Sequence, residues 1–487
     1  MPKLRTLTSL LLFVFFSCTP GVAKPQKPPI TPDKNVVATL EESIPKLMQE
    51  ATVPAVSIAV IRDGKTYWLH TFGVANTKTK QAANDDTVFE AASLSKPVFA
   101  YAVLKLVDQG KLDLDTPLSK YLSKPYIEDD PRINQITARF VLSHRTGFRN
   151  WRNNEPLKIY FTPGERFSYS GEGFVYLSKV VEQITGKPLN DFMTETVFAP
   201  LGMSSSSYLW RPDYETRTAT GHNAAGAPLD KFKPKEVNAA ASLHTTAGDY
   251  GRFVDAVLTG TGLKPQTLKQ LEAPQIAVDP QCTNCTDRAP GELSKFIFWG
   301  LGWGIEKTQT GETIWHWGDN GAFKCFVAAD IKRKNGVVYF ANGENGLAIA
   351  QPIVEEAIGG FHPVFAWLKY ERYDSPSIKF AKALREKGPT EAIAEYSVAL
   401  HRGDISEGSI NALGYELMGD QKPDAAIKIF QLNVELYPKS SNVYDSLGEA
   451  YMNDKQNELA IKNYEKSLEL DPKNNNAVEM LRKLKKE

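Results

Sequence analysis

A pattern repeats itself near the end of this chain, and it narrows the fold more than any other feature. Leu413-Gly414, Ala426, Phe430 and Pro438 return 34 positions later as Leu447-Gly448, Ala460, Tyr464 and Pro472. Self-similarity at such a period means one supersecondary unit stacked on copies of itself. Small residues at Gly448 and Ala460 let two helices approach closely, Tyr451 and Tyr464 fill the space between them, and Pro472 ends the second helix. Ala392, Tyr396 and Ala399 fit a degraded earlier copy, and Leu481 begins a truncated later one. An all-α stack over 376–487 is therefore expected. It offers a contact surface without saying for whom.

The period and pattern resemble tetratricopeptide repeats. That resemblance implies a protein or peptide partner at the repeats, or a stack that packs beside the functional cleft of the rest of the chain. At roughly 150 residues per domain, the 487 residues have room for two to four domains. The 57 basic and 57 acidic side chains cancel, leaving no electrostatic footprint for nucleic acid. Four cysteines are too few for a disulfide scaffold. No HExxH, no Cys- or His-rich cluster, no GxGxxG and no GxxxxGK[ST] is present, so neither metal nor nucleotide cofactor is expected.

Residues 1–23 have the layout of an export signal: Lys3 and Arg5, an apolar run from Leu10 to Phe16, and small residues at Gly21-Val22-Ala23. The run falls short of the roughly 18 apolar residues of a membrane span. A second reading takes Ser17-Cys18 as the end of a lipoprotein signal, with Cys18 a lipid anchor. The expected location is periplasmic or extracellular. Residues 24–36 are a Pro-rich tether. In an oxidising compartment Cys282 and Cys285 could pair, and Cys325 would remain free.

Between the tether and the repeats, residues 37–50 carry apolar residues on one helical face. Val56–Ile61 and Thr66–Phe72, joined by Arg62-Asp63-Gly64-Lys65, read as a hairpin. Residues 91–275 are mostly helical. Strand patterns return at Gly300–Lys307, Thr313–His316, Phe323–Asp330 and Val337–Ala341, and Ala348–Ile358 closes as a helix. The expected fold is α+β: one antiparallel sheet flanked by helices, its halves separated by a helical insertion, over residues 37–368.

Ser93-Leu94-Ser95-Lys96 opens a helix whose apolar face continues through Val98, Tyr101, Leu104 and Val107. Three residues of helix put Ser93 beside Lys96. Serine needs a base to become a nucleophile, and a desolvated lysine can serve. Ser43-Ile44-Pro45-Lys46 has the same spacing but lies within a helix, and reads as a solvated face.

The surrounding segments raise the specificity. "VFEAASLSK" (88–96), "LVDQGKLDLDTPLSKYL" (106–122), "FVLSHRTGF" (140–148), "FTPGERFSYSGEGFVYL" (161–177), "VFAPLGM" (197–203), "AASLHTTAGDYGRFVDAVL" (240–258) and "WHWGDNGAFKCF" (315–326) resemble, in order, the serine β-lactamase and DD-peptidase superfamily in its class C-like branch. The resemblance implies that Ser93 is the acylated nucleophile, Lys96 its partner, and Tyr169 the shared proton carrier. His316 of His316-Trp317-Gly318 would fill the place that many relatives give to lysine. It would orient a substrate carboxylate if protonated, or hold Tyr169 if neutral. The N–H groups of Ser93 and Asp319 would form the oxyanion hole, with Gly171 and Gly318 lining the substrate site. Tyr169 is expected to work as a phenolate near Lys96. His70, His144, His222, His244, His362 and His401 read as structural.

One departure bears on the substrate. The second motif ends in Gly171 where the family has asparagine, whose amide contacts both lysine and substrate. Glycine removes those bonds and is expected to leave space. The reading is an exported serine hydrolase acting on an ester, an amide, a D-amino-acid peptide or a β-lactam. The alternative is a catalytically weak binding or sensing module coupled to the repeats. A third reading is a scaffold in which the repeats alone matter.

Overall fold

The computed structural model describes residues 33–278 and 292–485. The expected signal, Cys18, Cys282 and Cys285 lie outside the described residues. The first helix, Asp33–Ala51, begins inside the segment read as tether, so residues 33–36 are helical instead of extended.

Among the described residues eleven strands follow in chain order: β1 (Ala55–Arg62), β2 (Lys65–Asn76), β3 (Gln81–Ala82), β4 (Phe89–Glu90), β5 (His244–Thr245), β6 (Ile276–Ala277), β7 (Ile297–Trp299), β8 (Gly304–Thr308), β9 (Gly311–Asp319), β10 (Lys324–Asp330) and β11 (Asn335–Ala341). Nine of them form one sheet in the order β3-β2-β1-β11-β10-β9-β8-β7-β6. Its pairings are antiparallel, and β1 against β11 joins the early hairpin to the late strands. The hairpin turn places Asp63 at φ 50° and Gly64 at φ 71°. Two successive positive φ values match the right-handed twist of the strands it joins.

β1 is buried along its whole length because both faces of the sheet are covered. Ala55, Ala59 and Ile61 join a core with the helical insertion. Val56, Ile58 and Val60 join a second core with the Asp33–Ala51 and Ala350–Ile358 helices. The terminal helices thus cover one face and the insertion the other, as the distribution of apolar patterns predicts.

Several details differ from the sequence reading, and β3, β6 and β7 are sheet strands it did not expect. The strand expected from Gly300 starts at Gly304, because Gly300 N–H bonds Trp303 O at 2.8 Å in a turn between β7 and β8. β9 runs past His316 to Asp319. β4 and β5 pair as a separate two-stranded ribbon; two residues are too short to show a period of two.

The repeats form the helices Glu407–Gly419, Pro423–Leu436, Ser441–Asn453 and Asn457–Leu470 around their own core. A Cβ on Gly414 would stand 2.5 Å from the Phe430 ring, and one on Gly448 3.2 Å from Tyr464. The glycines are what allows each aromatic ring to fill its hairpin. The degraded copy breaks at Tyr396, between Pro389–Glu395 and Ser397–Arg402.

Candidate active site

Ser93 sits in a 3-10 turn, Ala92–Leu94, that feeds the Ser95–Asp108 helix. Ala92 takes φ 46°. A left-handed alanine costs about 1–3 kcal/mol and persists only when its surroundings enforce it. They do so here. Ala91 N–H donates to Leu243 O at 2.8 Å, and the Cys325 thiol donates to Ala91 O at 3.1 Å. Ser95 Oγ donates to Ala92 O at 2.6 Å and accepts from Leu243 N–H at 3.0 Å. Tyr208 and Tyr250 hydroxyls hold Ser95 O and Leu94 O. Ser95 is thus a positioning residue that the sequence reading passed over.

Lys96 is fully buried, and its Nζ donates to Ser93 Oγ and to Ala240 O, each at 2.9 Å. Three rings face the amine: Tyr169 at 4.7 Å, Phe174 at 5.8 Å and Trp151 at 5.9 Å from their centroids. Burial pushes Lys96 well below the ordinary lysine range, which favours the neutral amine. The competing Ser43 and Lys46 diverge: Ser43 bonds Glu356, and Lys46 turns outward to Glu42.

Tyr169 precedes the Gly171–Thr185 helix, which Ser170 caps by accepting from Gly173 N–H at 3.1 Å. Its ring lies 4.9 Å from Trp317 and 4.2 Å from His144. Among the described residues the Tyr169 hydroxyl completes no hydrogen bond, yet Ser93 lies near enough to favour its anion slightly. Burial outweighs that effect and pushes the phenol far up. The resting group is therefore neutral tyrosine, and the phenolate expected from sequence is corrected by desolvation.

His316 on β9 is fully buried. Its Nδ1 lies 2.7 Å from Trp317 O, and a carbonyl only accepts, so Nδ1 carries the proton. Burial, reinforced by Lys96, pushes the imidazole down to about 3. That shift favours the neutral imidazole, but the hydrogen bond to Tyr169 that the resemblance implied for a neutral His316 is not formed. Among the described residues Nε2 has no hydrogen-bond partner, and the His316 and Tyr169 ring centroids stand 6.1 Å apart.

His144, read from sequence as structural, belongs to this cluster. Its Nδ1 accepts from Ser170 N–H at 2.9 Å while its ring packs on Tyr169. Nothing in an isolated histidine signals that; its place inside the 140–148 segment was the available hint. The other histidines lie elsewhere: His222 bonds Asn342 O and Thr77 N, and His362 pairs with Glu306.

Asp319 ends β9. Its carboxylate takes Lys324 Nζ at 2.5 Å, Gly321 N–H at 2.9 Å and the Tyr370 hydroxyl at 2.7 Å. Tyr370 follows the Val364–Leu368 helix, whose Trp367 packs on Trp315 and Trp317. The segment leading to the repeats thus reaches the site. Gly318 lets β9 approach the serine turn: a Cβ there would stand 2.3 Å from Cys325 Sγ and 2.6 Å from Ala91 O. Glu90, three positions before Ser93, is buried and accepts from Asn320 Nδ2 at 3.0 Å. Desolvation pushes its carboxyl up to about 7.

Gly171 does not leave open space. A Cβ there would lie 2.4–2.8 Å from three atoms of the Trp151 ring, so an indole fills the volume expected to be vacant.

Residues 40–354 match the family model described as Beta-lactamase, and residues 441–474 match a tetratricopeptide repeat. The chain is 27% identical to penicillin-binding protein 4 of Amycolatopsis lactamdurans, over 54% of this chain and 73% of that protein. It is 25% identical to esterase EstB of Burkholderia gladioli, over 55% of this chain and 79% of that one. The solved structure of D-alanine carboxypeptidase AmpC from Burkholderia cenocepacia superposes with a TM-score of 0.56 at 20% identity, covering 66% of this chain and 98% of that chain.

Proposed function

This chain belongs to the beta-lactamase family and carries tetratricopeptide repeats, and from that premise we propose that it is an exported serine hydrolase working through an acyl-enzyme on Ser93. The observation that carries the reading is the 2.9 Å contact between Ser93 Oγ and the desolvated Lys96 amine. A neutral amine accepts the serine proton as Oγ bonds to the substrate carbonyl carbon. The carbonyl π pair moves onto oxygen, where the N–H groups of Ser93 and Asp319 receive the charge. Collapse of this intermediate breaks the bond to the leaving group, which takes a proton from Lys96 through the Tyr169 hydroxyl. Water then attacks the acyl carbon and gives a proton to the same pair; the bond from that carbon to Ser93 Oγ breaks, Oγ takes the proton back, and the acid leaves. His316, held neutral, supports the Tyr169 side of the cluster and leaves no cation there for a substrate carboxylate. Gly318 allows the close approach of strand and serine turn, and Gly171 shares the substrate side with Trp151.

Export is supported by the Lys3/Arg5 start and apolar run of residues 1–23, with Cys18 as a lipid anchor in the alternative processing. No helix among the described residues is long and apolar enough to cross a membrane. The hydrolase unit is assigned to 37–368 and the repeats, with a protein or peptide partner, to 376–487. Substrates are carboxylic esters, amides or D-amino-acid peptides.

The test is the intact mass after treatment with a serine-directed fluorophosphonate, beside Ser93→Ala. One adduct that vanishes in the variant is expected. A folded protein without an adduct overturns the hydrolase assignment.

A further inference from the structure

Trp151 is half-buried and stands where two features of the site meet. Its six-membered ring fills the volume over Gly171, and the Lys96 amine lies 5.9 Å from its ring centroid. The segment that carries it is tied down on both sides. Asn150 O accepts from Gly171 and Glu172 N–H at 3.1 Å each, and Asn150 Oδ1 accepts from Gly171 N–H at 2.9 Å. Arg152 N–H and Nε donate to the buried Glu172 carboxylate at 3.1 Å each. These bonds tie the backbone on either side of Trp151 to the start of the helix that follows Tyr169, so the indole is anchored beside Gly171.

We infer that Trp151 is a specificity-determining residue that selects acyl groups with an apolar flank over those carrying an amide beside the scissile carbonyl. This rests on the acyl-enzyme reading above. An indole offers one N–H donor and no acceptor. An amide N–H laid against the ring loses its water and gains no acceptor, whereas a methylene chain in the same place buries apolar surface. A side chain at position 171 that could supply the missing acceptor is excluded by the ring itself.

Two esters with a common leaving group test this in the full chain: 4-nitrophenyl pentanoate, and 4-nitrophenyl N-acetylglycinate, in which an amide replaces two methylenes. The ratio of their kcat/KM values, compared between variants, cancels their different intrinsic reactivity. Trp151→Ala should shift the ratio toward the N-acetylglycinate by about threefold or more, and Trp151→Ala with Gly171→Asn by about tenfold, the worth of one added hydrogen bond. Gly171→Asn alone should melt several degrees below wild type, because its side chain meets the indole, and the double variant should recover that loss. Trp151→Phe keeps a ring against Lys96 and should give an intermediate ratio, which reads the effect even where truncation to alanine disturbs folding. An unchanged ratio in Trp151→Phe and in the double variant overturns the inference, as does Gly171→Asn melting with the wild type. A wild-type protein inert to both esters and to fluorophosphonate overturns the hydrolase reading instead; active wild type with an unchanged ratio sinks only the role of Trp151.

Discussion

Lys96 and Tyr169 share one buried environment that acts on them in opposite directions of charge and the same direction of neutrality. Desolvation lowers the amine and raises the phenol, so it favours the uncharged form of each. Replacing Lys96 with alanine should lower kcat by about 10²–10⁴, and Tyr169→Phe by about 10², with little change in KM. Activity should rise with pH as Lys96 loses its proton, and that limb should lie well below the ordinary lysine range. Equal turnover of Lys96→Ala and wild type would assign the base elsewhere. Glu90 gives a separate pH signature. Its folded carboxyl is raised to about 7 from an ordinary 4.5, so the native state binds the proton more tightly than the unfolded chain. That contribution is fully present below about 4.5 and is lost as pH rises to about 7, at most roughly 3 kcal/mol. The melting temperature of wild type relative to Glu90→Gln should therefore fall between pH 4.5 and 7. His316 and His244, both pushed down, act oppositely on acidification, but they are common to both proteins and cancel in the difference. A constant difference across that range would mean that Glu90 is not desolvated.

At the scale of elements, the closest constraint is between β9 and the serine turn. Gly318→Ala forces a methyl group onto Cys325 Sγ and the Ala91 carbonyl, so the turn or the strand must move. Overpacking of this kind costs about 1–3 kcal/mol, and turnover should fall by more than stability does, because the displaced strand carries Asp319. A variant with wild-type kcat/KM would separate strand position from catalysis. These elements also mark what was legible in the chain. Ser93 lies in the 3-10 turn and Lys96 in the first turn of the helix it feeds, three positions apart, so spacing alone places them together. The hairpin, the late strands and the paired glycine and aromatic positions of the repeats follow from periodicity. Trp151 over Gly171, His144 against Tyr169 and Tyr370 on Asp319 join residues from different loops, and no periodicity encodes such meetings. The expected phenolate failed for a related reason: desolvation belongs to the packed site and not to the residue.

In the whole molecule the repeats have a core of their own, and the sheet has two others. The described contacts of the first repeat-side helix, Pro376–Lys387, with the body include Lys382 donating to Gln49 O at 3.4 Å and standing 3.7 Å from Glu50. Exposed pairs of this kind contribute about 0–1 kcal/mol. Removing residues from 376 onward should therefore leave ester turnover within about threefold of wild type, since both sheet-face cores and Tyr370 remain. Cutting earlier, before 364, is a different operation. It strips Trp367 from Trp315 and Trp317 and removes the hydroxyl that holds the Asp319 carboxylate. Tyr370→Phe isolates the second loss: kcat should drop by about tenfold, with a melting temperature close to wild type, because one hydrogen bond to a carboxylate at the site is removed and the ring is kept. If Tyr370→Phe keeps full activity while truncation at 376 abolishes it, the repeats themselves complete the catalytic body. If Tyr370→Phe is impaired and the truncation is not, the connecting segment, and not the repeats, is what supports Asp319 at the end of β9.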